Sequence, residues 1–151
     1  MNAISRGAIV PAAKQSTVLA FDFGTRAIGV AVGNTVVRVA HPLATIREEA
    51  NAPRFAAIAA LIAEWSPDRL IVGRPCEEDG SASEMTARSD RFANQLEGRF
   101  RLPVSRVDER YTTQAAASAL TAAGVRGKAR AAALDEAAAQ VILQAWLDAP
   151  G

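Results

Sequence analysis

The stretch that decides the fold class is residues 18–40, which read VLAFDFGTRAIGVAVGNTVVRVA. It holds three apolar runs, separated by the turn signals Gly24-Thr25 and Gly33-Asn34. Apolar runs bounded by glycine-bearing turns are typical of β-strands, and tight turns join neighbouring strands into antiparallel pairs. The stretch therefore predicts a three-stranded antiparallel meander, with strands at Val18–Phe23, Ile28–Val32 and Val36–Ala40.

Beyond the meander, strand-like segments alternate with helix-like ones. Two short apolar runs, Leu70–Gly73 and Val104–Val107, predict a fourth and a fifth strand. Helical periodicity predicts helices before, between and after them. Ser81, with Glu84 three residues later, fits a capping box for the helix between the two strands. We therefore predict the α/β class: a five-stranded mixed sheet, an antiparallel meander followed by parallel strands, flanked by helices.

Length and composition limit the class of protein. At 151 residues the chain fits one domain, which we assign to residues 17–151 after a loosely ordered segment at residues 1–16. The single cysteine, Cys76, and the single histidine, His41, exclude an internal disulfide, a cysteine-rich zinc site and any site that needs two histidines. No apolar run is long enough for a membrane span, and residues 1–16 lack the apolar core of a secretory signal. We expect a cytoplasmic protein.

Asp22 is the first of three acidic positions that draw attention. It lies in or at the end of the first predicted strand, between Phe21 and Phe23, so its carboxylate faces away from both rings. Burying a carboxylate without a partner costs several kcal/mol, so such a group needs a cation, hydrogen-bond donors or water. The simpler interpretation is an aspartate that initiates the turn at Gly24-Thr25.

The other acidic positions follow the fifth strand and lie on the last helix. Asp108-Glu109 come directly after the strand, and Asp135 shares a helical stripe with Ile142 on a helix predicted from about Ala132 to Asp148. The simpler interpretations are polar strand-end residues and a helix cap. If strands one, four and five are parallel, their carboxyl ends meet at one edge of the sheet. An all-oxygen cluster suited to Mg²⁺ or Mn²⁺ would then contain Asp22, Glu109 or Asp108, and Asp135.

Four segments, in chain order, carry a resemblance to a known family: FDFGTRAIGVAVGN, LIVGRP with EEDGS, VDERYTT and LDEAAAQVILQAWL. Over about Val18 to Leu147 the chain resembles the bacterial YqgF family, whose members are named as pre-16S rRNA nucleases and, earlier, as Holliday junction resolvases. The resemblance implies an RNase H-like fold and metal-dependent cleavage of nucleic-acid backbones in maturation of the 5′ end of 16S rRNA. By motif position it implies the catalytic set Asp22, Glu109 and Asp135, and it leaves the role of Asp108 open.

Basic residues lie in the predicted loops that border the acidic edge, including a basic loop at residues 124–130. They are Arg26, Arg74, Arg110, Arg126, Lys128 and Arg130. The net charge is only +1, and each of these residues taken singly is more often a solvated surface charge, but arginine binds phosphate through a planar fork. The chain departs from the family pattern at Arg26-Ala27 and at Arg74 with Cys76, and these departures bear on substrate contacts rather than on the acidic set.

Four functions fit these features to different degrees. The first is a Mg²⁺- or Mn²⁺-dependent nuclease that acts on precursor rRNA or a ribosomal subunit, as a monomer or weak homodimer. The second is a resolvase of four-way DNA junctions, which needs a two-fold dimer to cut two strands symmetrically. The third is a non-catalytic RNA-binding factor of ribosome assembly. An ATP-binding phosphotransferase is disfavoured, because such folds place the nucleotide between two domains and this chain has room for one.

Overall fold

The computed structural model describes residues 16–109, 112–125 and 127–149, and the side chains of these residues except at 112–114 and 127–132. Within these residues, five strands and four helices follow one another in the predicted order. The strands are β1 (Thr17–Phe23), β2 (Ile28–Asn34), β3 (His41–Ile46), β4 (Arg69–Arg74) and β5 (Val104–Asp108). The helices are α1 (Asn51–Trp65, between β3 and β4), α2 (Glu84–Phe100, between β4 and β5), α3 (Thr112–Ala122) and α4 (Gly127–Asp148).

The strands form one mixed sheet in the order β3-β2-β1-β4-β5. β1 pairs antiparallel with β2 and parallel with β4, and β5 continues the parallel half beside β4. The carboxyl ends of β1, β4 and β5 therefore lie together at one edge of the sheet, here called the carboxyl edge. The predicted combination of an antiparallel meander and parallel strands is confirmed.

Helices cover both faces of the sheet, and the alternation of side chains along β1 decides what each face receives. Leu19 and Phe21 pack in one core with residues of α1 and α2. Val18 and Ala20 pack in another core with residues of α4. Asp22 continues the second set, so its side chain lies on the α4 side of the sheet.

The predicted third strand at Val36–Ala40 is wrong, because the strand lies at His41–Ile46. The Asn34 side chain accepts hydrogen bonds from the backbone N–H groups of Val36 and Val37, which holds the chain in a turn. Arg38 then adopts a left-handed backbone conformation with φ of 62°. The valines of this segment are apolar but exposed, so their hydrophobicity does not mark a buried strand.

Two predicted helix starts also differ from the structure. Helix α2 is capped by Ser83, which forms a capping box with Thr86, while the Ser81 hydroxyl donates to Asp79. Helix α4 begins at Gly127 rather than near Ala132, so most of the predicted basic loop at 124–130 belongs to its first turns. For α2 the sequence offers two nearby serines as caps, and the capping box forms at the second of them.

The opposite edge of the sheet carries two cavities, each lined by a tryptophan. One, of about 410 Å³, is lined by Thr17, Val37 and Trp65, whose buried indole N–H has no hydrogen-bond partner among the described residues. The other, of about 400 Å³, is lined by Trp146 and by Arg69 at the start of β4. Both tryptophans thus lie at the edge away from Asp22. Among the described helices, none is long and apolar enough to cross a membrane.

The predicted loosely ordered segment at residues 1–16 lies outside the described residues except for Ser16. The backbone carbonyl of Ser16 accepts a hydrogen bond from the N–H of Thr35, at 3.0 Å. This contact joins the start of β1 to the turn that follows β2.

Candidate active site

Asp22 is held near the end of the central strand, directly opposite Gly29 of β2. Burial raises the pKa of Asp22 above its ordinary value, to about 6. A hydrogen bond with the Glu109 side chain lowers the pKa in part, and the charge of Asp135 raises it. Asp22 is therefore influenced by both of the other predicted catalytic side chains.

Glu109 reaches Asp22 because β5 ends beside a glycine. Its backbone N–H donates to the Arg74 carbonyl at 3.2 Å, which extends the pairing of β5 with β4 by one residue. A Cβ added at Gly73 would overlap the Glu109 carboxyl group and the Ile142 side chain, so the glycine leaves room for this carboxyl against the sheet. Burial, and then the neighbouring charge of Asp22, raise the pKa of Glu109 to about 9. At neutral pH Glu109 keeps its proton and donates it to the Asp22 carboxylate.

Asp135 is brought to the site by a close contact between helix and strand. A Cβ added at Gly29 would overlap the Asp135 carbonyl, so the backbone of α4 lies directly on β2 at this point. Burial raises the pKa of the Asp135 carboxyl, while the charge of Arg47 lowers it and that of Glu136 raises it. Because Gly29 is the β2 partner of Asp22, this contact places Asp135 beside the Asp22–Glu109 pair.

Asp108, the last residue of β5, and Glu109, which follows it, point to opposite faces of the sheet. Asp108 lines a cavity of about 160 Å³ with Arg74, Cys76 and Arg106, away from the α4 side. Glu109 alone is hydrogen-bonded to Asp22, although the Asp108 charge also raises the pKa of Glu109. Glu109 therefore faces Asp22, and Asp108 faces the opposite side of the sheet.

The chemistry of the donor set suits a hard divalent cation. The three groups are carboxyls, and the influences that raise the pKa of Asp22 and Glu109 are burial and other acids. A cation bound there would offset the repulsion between the ionised carboxylates. In the parts of the chain that are described, no three acidic, histidine or cysteine side chains are already arranged as metal ligands. In this arrangement Asp22 and Glu109 are instead hydrogen-bonded to each other.

The predicted phosphate-binding residues fall into different settings. Arg74 donates through Nε and Nη2 to Asp90 of α2, which also accepts from Arg106. Arg26 is exposed in the turn after β1. Lys128 and Arg130 lie in the first turns of α4, but their side chains, and all of Arg110 and Arg126, fall outside the described residues.

Arg54 is a residue of the site region that the sequence interpretation missed. It is buried in the first turn of α1, and its guanidinium donates to the carbonyls of Glu48, Gly24 and Thr25 at 2.8 to 3.1 Å. It also lies 5.3 Å from the centre of the Phe23 ring. Arg54 therefore fixes the turn that follows Asp22. The one signal in the sequence is a charged residue next to Phe55 in the otherwise apolar run from Ala52 to Ala63.

The chain matches a known protein family along nearly its whole length. A family model described as "RuvX: Holliday junction resolvase" matches residues 16–149. The chain belongs to the RuvX family. The resemblance to the YqgF family, and with it the prediction of a nuclease that hydrolyses phosphodiester bonds, is confirmed by this RuvX membership.

Relatives of this RuvX protein share about half of its residues. A protein of Chromobacterium violaceum is 54% identical over 134 residues, which cover 88% of this chain and 98% of the relative. A protein of Nitrosomonas europaea is 52% identical over 136 residues, which cover 90% of this chain and 92% of the relative. Both carry the name "Putative pre-16S rRNA nuclease".

The RuvX chain also resembles a solved structure, that of Thermus thermophilus RuvC in complex with a Holliday junction substrate. The TM-score is 0.50 at 15% identity, over 85% of this chain and 91% of the other. At this identity the likeness concerns the fold. It confirms the predicted RNase H-like architecture.

Proposed function

We propose that this RuvX family protein is a divalent-metal-dependent nuclease that processes the 5′ end of precursor 16S rRNA. The observation that carries the proposal is the half-buried Asp22–Glu109 pair, with Asp135 beside it, at the carboxyl edge of an RNase H-like sheet. The name shared by relatives that are about half identical supports the choice of RNA substrate.

Asp22, Glu109 and Asp135 are the residues that would hold Mg²⁺ or Mn²⁺. A bound divalent cation supplies polarisation of the scissile phosphate and a lower pKa for an attacking water. The task of the three side chains is to present negative oxygens, which requires Glu109 to give up its proton. Gly29 and Gly73 let the segments that carry Asp135 and Glu109 pack closely against the sheet.

Basic side chains around the carboxyl edge are proposed to hold the flanking phosphates. Arg26 extends from the turn after β1, and Arg74 with Arg106 lies on the other face beside Asp108. For Arg110, Arg126, Lys128 and Arg130 the proposal rests on their position in the chain next to Glu109 and Asp135. We further propose that the protein acts in the cytoplasm, on precursor rRNA or the ribosomal subunit, as a monomer or weak homodimer.

A second candidate function is cleavage of four-way DNA junctions. It is favoured by the description of the matching family as a Holliday junction resolvase. The chemistry at the three carboxylates is the same, so the two candidates differ in substrate. Symmetric cutting of two strands requires a two-fold dimer, and the mass of the protein on the substrate would reveal it.

A cleavage assay with both substrates tests the proposal. A 5′-extended 16S precursor fragment and a four-way junction are offered side by side, with Mg²⁺ or Mn²⁺, to the natural protein and to Asp135→Asn. The matched control is Asp68→Asn, which removes an exposed carboxylate far from the site. Metal-dependent cutting of RNA that is abolished only in Asp135→Asn is expected. Paired cuts in the junction alone would favour the second candidate. Tight RNA binding without any cutting would favour an assembly factor.

A further inference from the structure

A second cavity opens at the carboxyl edge, on the face of the sheet opposite Asp22. It has a volume of about 240 Å³ and lies between the turn after β1 and helices α1 and α2. We call it the arginine cavity, and its lining includes Phe23, Thr25, Glu49, Arg54, Arg88 and Arg91. No residue of this set belongs to the predicted phosphate-binding residues.

The charges in the arginine cavity are arranged to attract an anion. Arg88 and Arg91 lie three residues apart on α2, so both side chains lie on the same side of the helix. Arg54 lies in the wall and is only 4% exposed. One acidic residue, Glu49, lines the cavity, so three arginines outnumber it.

The two arginines of α2 are available to a ligand. Arg88 pairs with Glu84 at 3.1 Å, but both side chains are exposed, and exposed pairs of this kind are weak. The Arg91 guanidinium is exposed and makes no ion pair or hydrogen bond with the part of the chain that is described. A phosphate can therefore take both guanidinium groups without breaking a buried contact.

The dipole of helix α1 adds to the positive potential in the arginine cavity. Helix α1 begins at Asn51 beside the cavity, and its N-cap residue, Ala50, supplies no side-chain hydrogen bond. The first turn of α1 holds no acidic residue. The positive end of the helix dipole therefore reinforces the attraction that the arginines already create.

The arginine cavity lies close to the acidic site along β1. Asp22 and Phe23 are neighbours whose side chains point to opposite faces, and Thr25 follows two residues later. Three residues span at most about 10 Å. One strand of a nucleic acid carries a phosphate about every 3.4 Å along the helix axis. A strand lying across the end of β1 would reach both sites within a few nucleotides.

We propose that the arginine cavity binds a backbone phosphate of the nucleic-acid strand, a few nucleotides from the cleaved bond. This proposal rests on the proposed nuclease function and deepens it. Arg88 and Arg91 contact the phosphate. Arg54 is a positioning residue, since it ties the Gly24–Thr25 turn to α1 and so keeps the cavity in a fixed relation to Asp22.

Binding without cleavage tests the proposal directly. The variant Arg88→Gln/Arg91→Gln retains good helix formers and removes both charges. Its affinity for a fluorescent single-stranded RNA is measured by anisotropy in EDTA, at a series of KCl concentrations. We expect about tenfold weaker binding, and a slope of the salt dependence that falls by about 0.7 for each phosphate that the variant no longer neutralises.

The matched control removes an arginine at the far end of the same helix. Arg101 is exposed and has φ of 55°, so Arg101→Asn changes the charge while keeping a residue that tolerates this backbone. It should bind RNA with the natural affinity and slope. Equally weakened binding in control and test variants would overturn the proposal, as would unchanged binding in the double variant. A free nucleoside monophosphate that displaces the RNA at equal concentration would also overturn it.

Cleavage kinetics separate this proposal from the proposed function. With a long RNA, the double variant should show a raised KM at nearly unchanged kcat. With a dinucleotide, too short to reach the cavity, its rate should equal that of the natural protein. A slower rate on the dinucleotide would overturn the proposal, since the arginines would then act at the acidic site or on the fold. If the natural protein cleaves neither substrate, the nuclease function fails while the RNA-binding result still decides the role of the cavity.

Discussion

Asp22 and Glu109 place two carboxyl groups in one hydrogen bond inside the protein. Ionising both without a nearby cation brings two negative charges together where water cannot screen them well. Folding therefore favours the protonated form of Glu109, and the proposed metal site depends on reversing that preference. Stability and activity should respond to pH in opposite ways at this pair.

The first prediction concerns the pH dependence of stability in EDTA. The folded-state pKa of Asp22, about 6, and of Glu109, about 9, lie above their ordinary values near 4, so the unfolded chain binds fewer protons than the folded one between these limits. The contribution of these two carboxyl groups to the free energy of unfolding is therefore fully present below their unfolded pKa values. It is lost as pH rises through about 6 for Asp22 and about 9 for Glu109.

Denaturant unfolding at a series of pH values between about 5 and 9 measures this decline in stability. Glu109→Gln should flatten the alkaline part of the curve, because the amide cannot ionise. Glu64→Gln, which changes an exposed carboxylate on α1, should leave the curve as in the natural protein. A natural protein that gains stability towards pH 9 would contradict the assignment of the proton to Glu109.

A second prediction concerns Asp22→Asn. The amide oxygen can still accept the Glu109 hydrogen bond, but it carries no charge for a cation. Cleavage should fall by about 10³-fold or more, since metal assistance is worth several kcal/mol. In EDTA at about pH 8 the variant should be more stable by about 1–2 kcal/mol, because a half-buried charge is removed. Asp68→Asn should change neither quantity, and full activity in Asp22→Asn would refute the site.

At the scale of the elements, the site depends on how closely α4 approaches β2. Gly29 leaves the backbone of Asp135 in contact with the strand, whereas a Cβ added at Gly33, further along β2, would first meet leucine methyl groups of α4. The two glycines face the same helix but tolerate a methyl group differently. A rigid backbone cannot give way as a side chain can.

A third prediction compares Gly29→Ala with Gly33→Ala. The first should cost about 2–3 kcal/mol of stability, because the new methyl group must push α4 away from the sheet, and it should abolish cleavage by displacing Asp135. The second should cost about 1 kcal/mol or less, since the added Cβ would meet leucine methyls at 3.0 and 3.2 Å, which can shift, and the Val39 carbonyl oxygen only at 3.3 Å. Thermal unfolding and the RNA cleavage assay measure both effects. Equal costs for the two variants would argue against the close contact at Asp135.

For the whole molecule, a ligand that joins segments from β1, β5 and α4 must stabilise the fold. The unfolded chain has no such arrangement of carboxylates, so binding free energy adds to folding free energy. The ligands must also be deprotonated, so the gain depends on pH.

A fourth prediction follows for the melting temperature. Mg²⁺ or Mn²⁺ should raise it, and more at about pH 8 than at about pH 6, because cation binding competes with the proton on Glu109. Scanning calorimetry with matched ionic strength measures the shift. Asp135→Asn should show little of this rise in melting temperature, and Asp68→Asn should show the full rise. Equal shifts in all three proteins would indicate non-specific binding.

Much of the site could be predicted from local patterns. Strand alternation placed Asp22 opposite the two phenylalanines, and helical periodicity placed Asp135 on the inward side of α4. The choice between Asp108 and Glu109 depends on the register at the end of β5, which composition does not give. The third strand was misplaced because the valines at 36–39 give the apolar pattern of a buried strand although they are exposed. Arg54 was missed because its partners are carbonyls distant in sequence, and those contacts exist only in the folded chain.

The placement of the two tryptophans has an optical consequence. Trp65 and Trp146 are the only indoles of the chain, and both line cavities at the edge away from the carboxylates and from the arginine cavity. Their fluorescence therefore reports the packing of α1 and α4 on the far side of the sheet. Nucleotides bound at the carboxyl edge lie too far away to quench this emission by stacking. Unfolding can thus be followed through native emission while substrate is present, without attaching a dye.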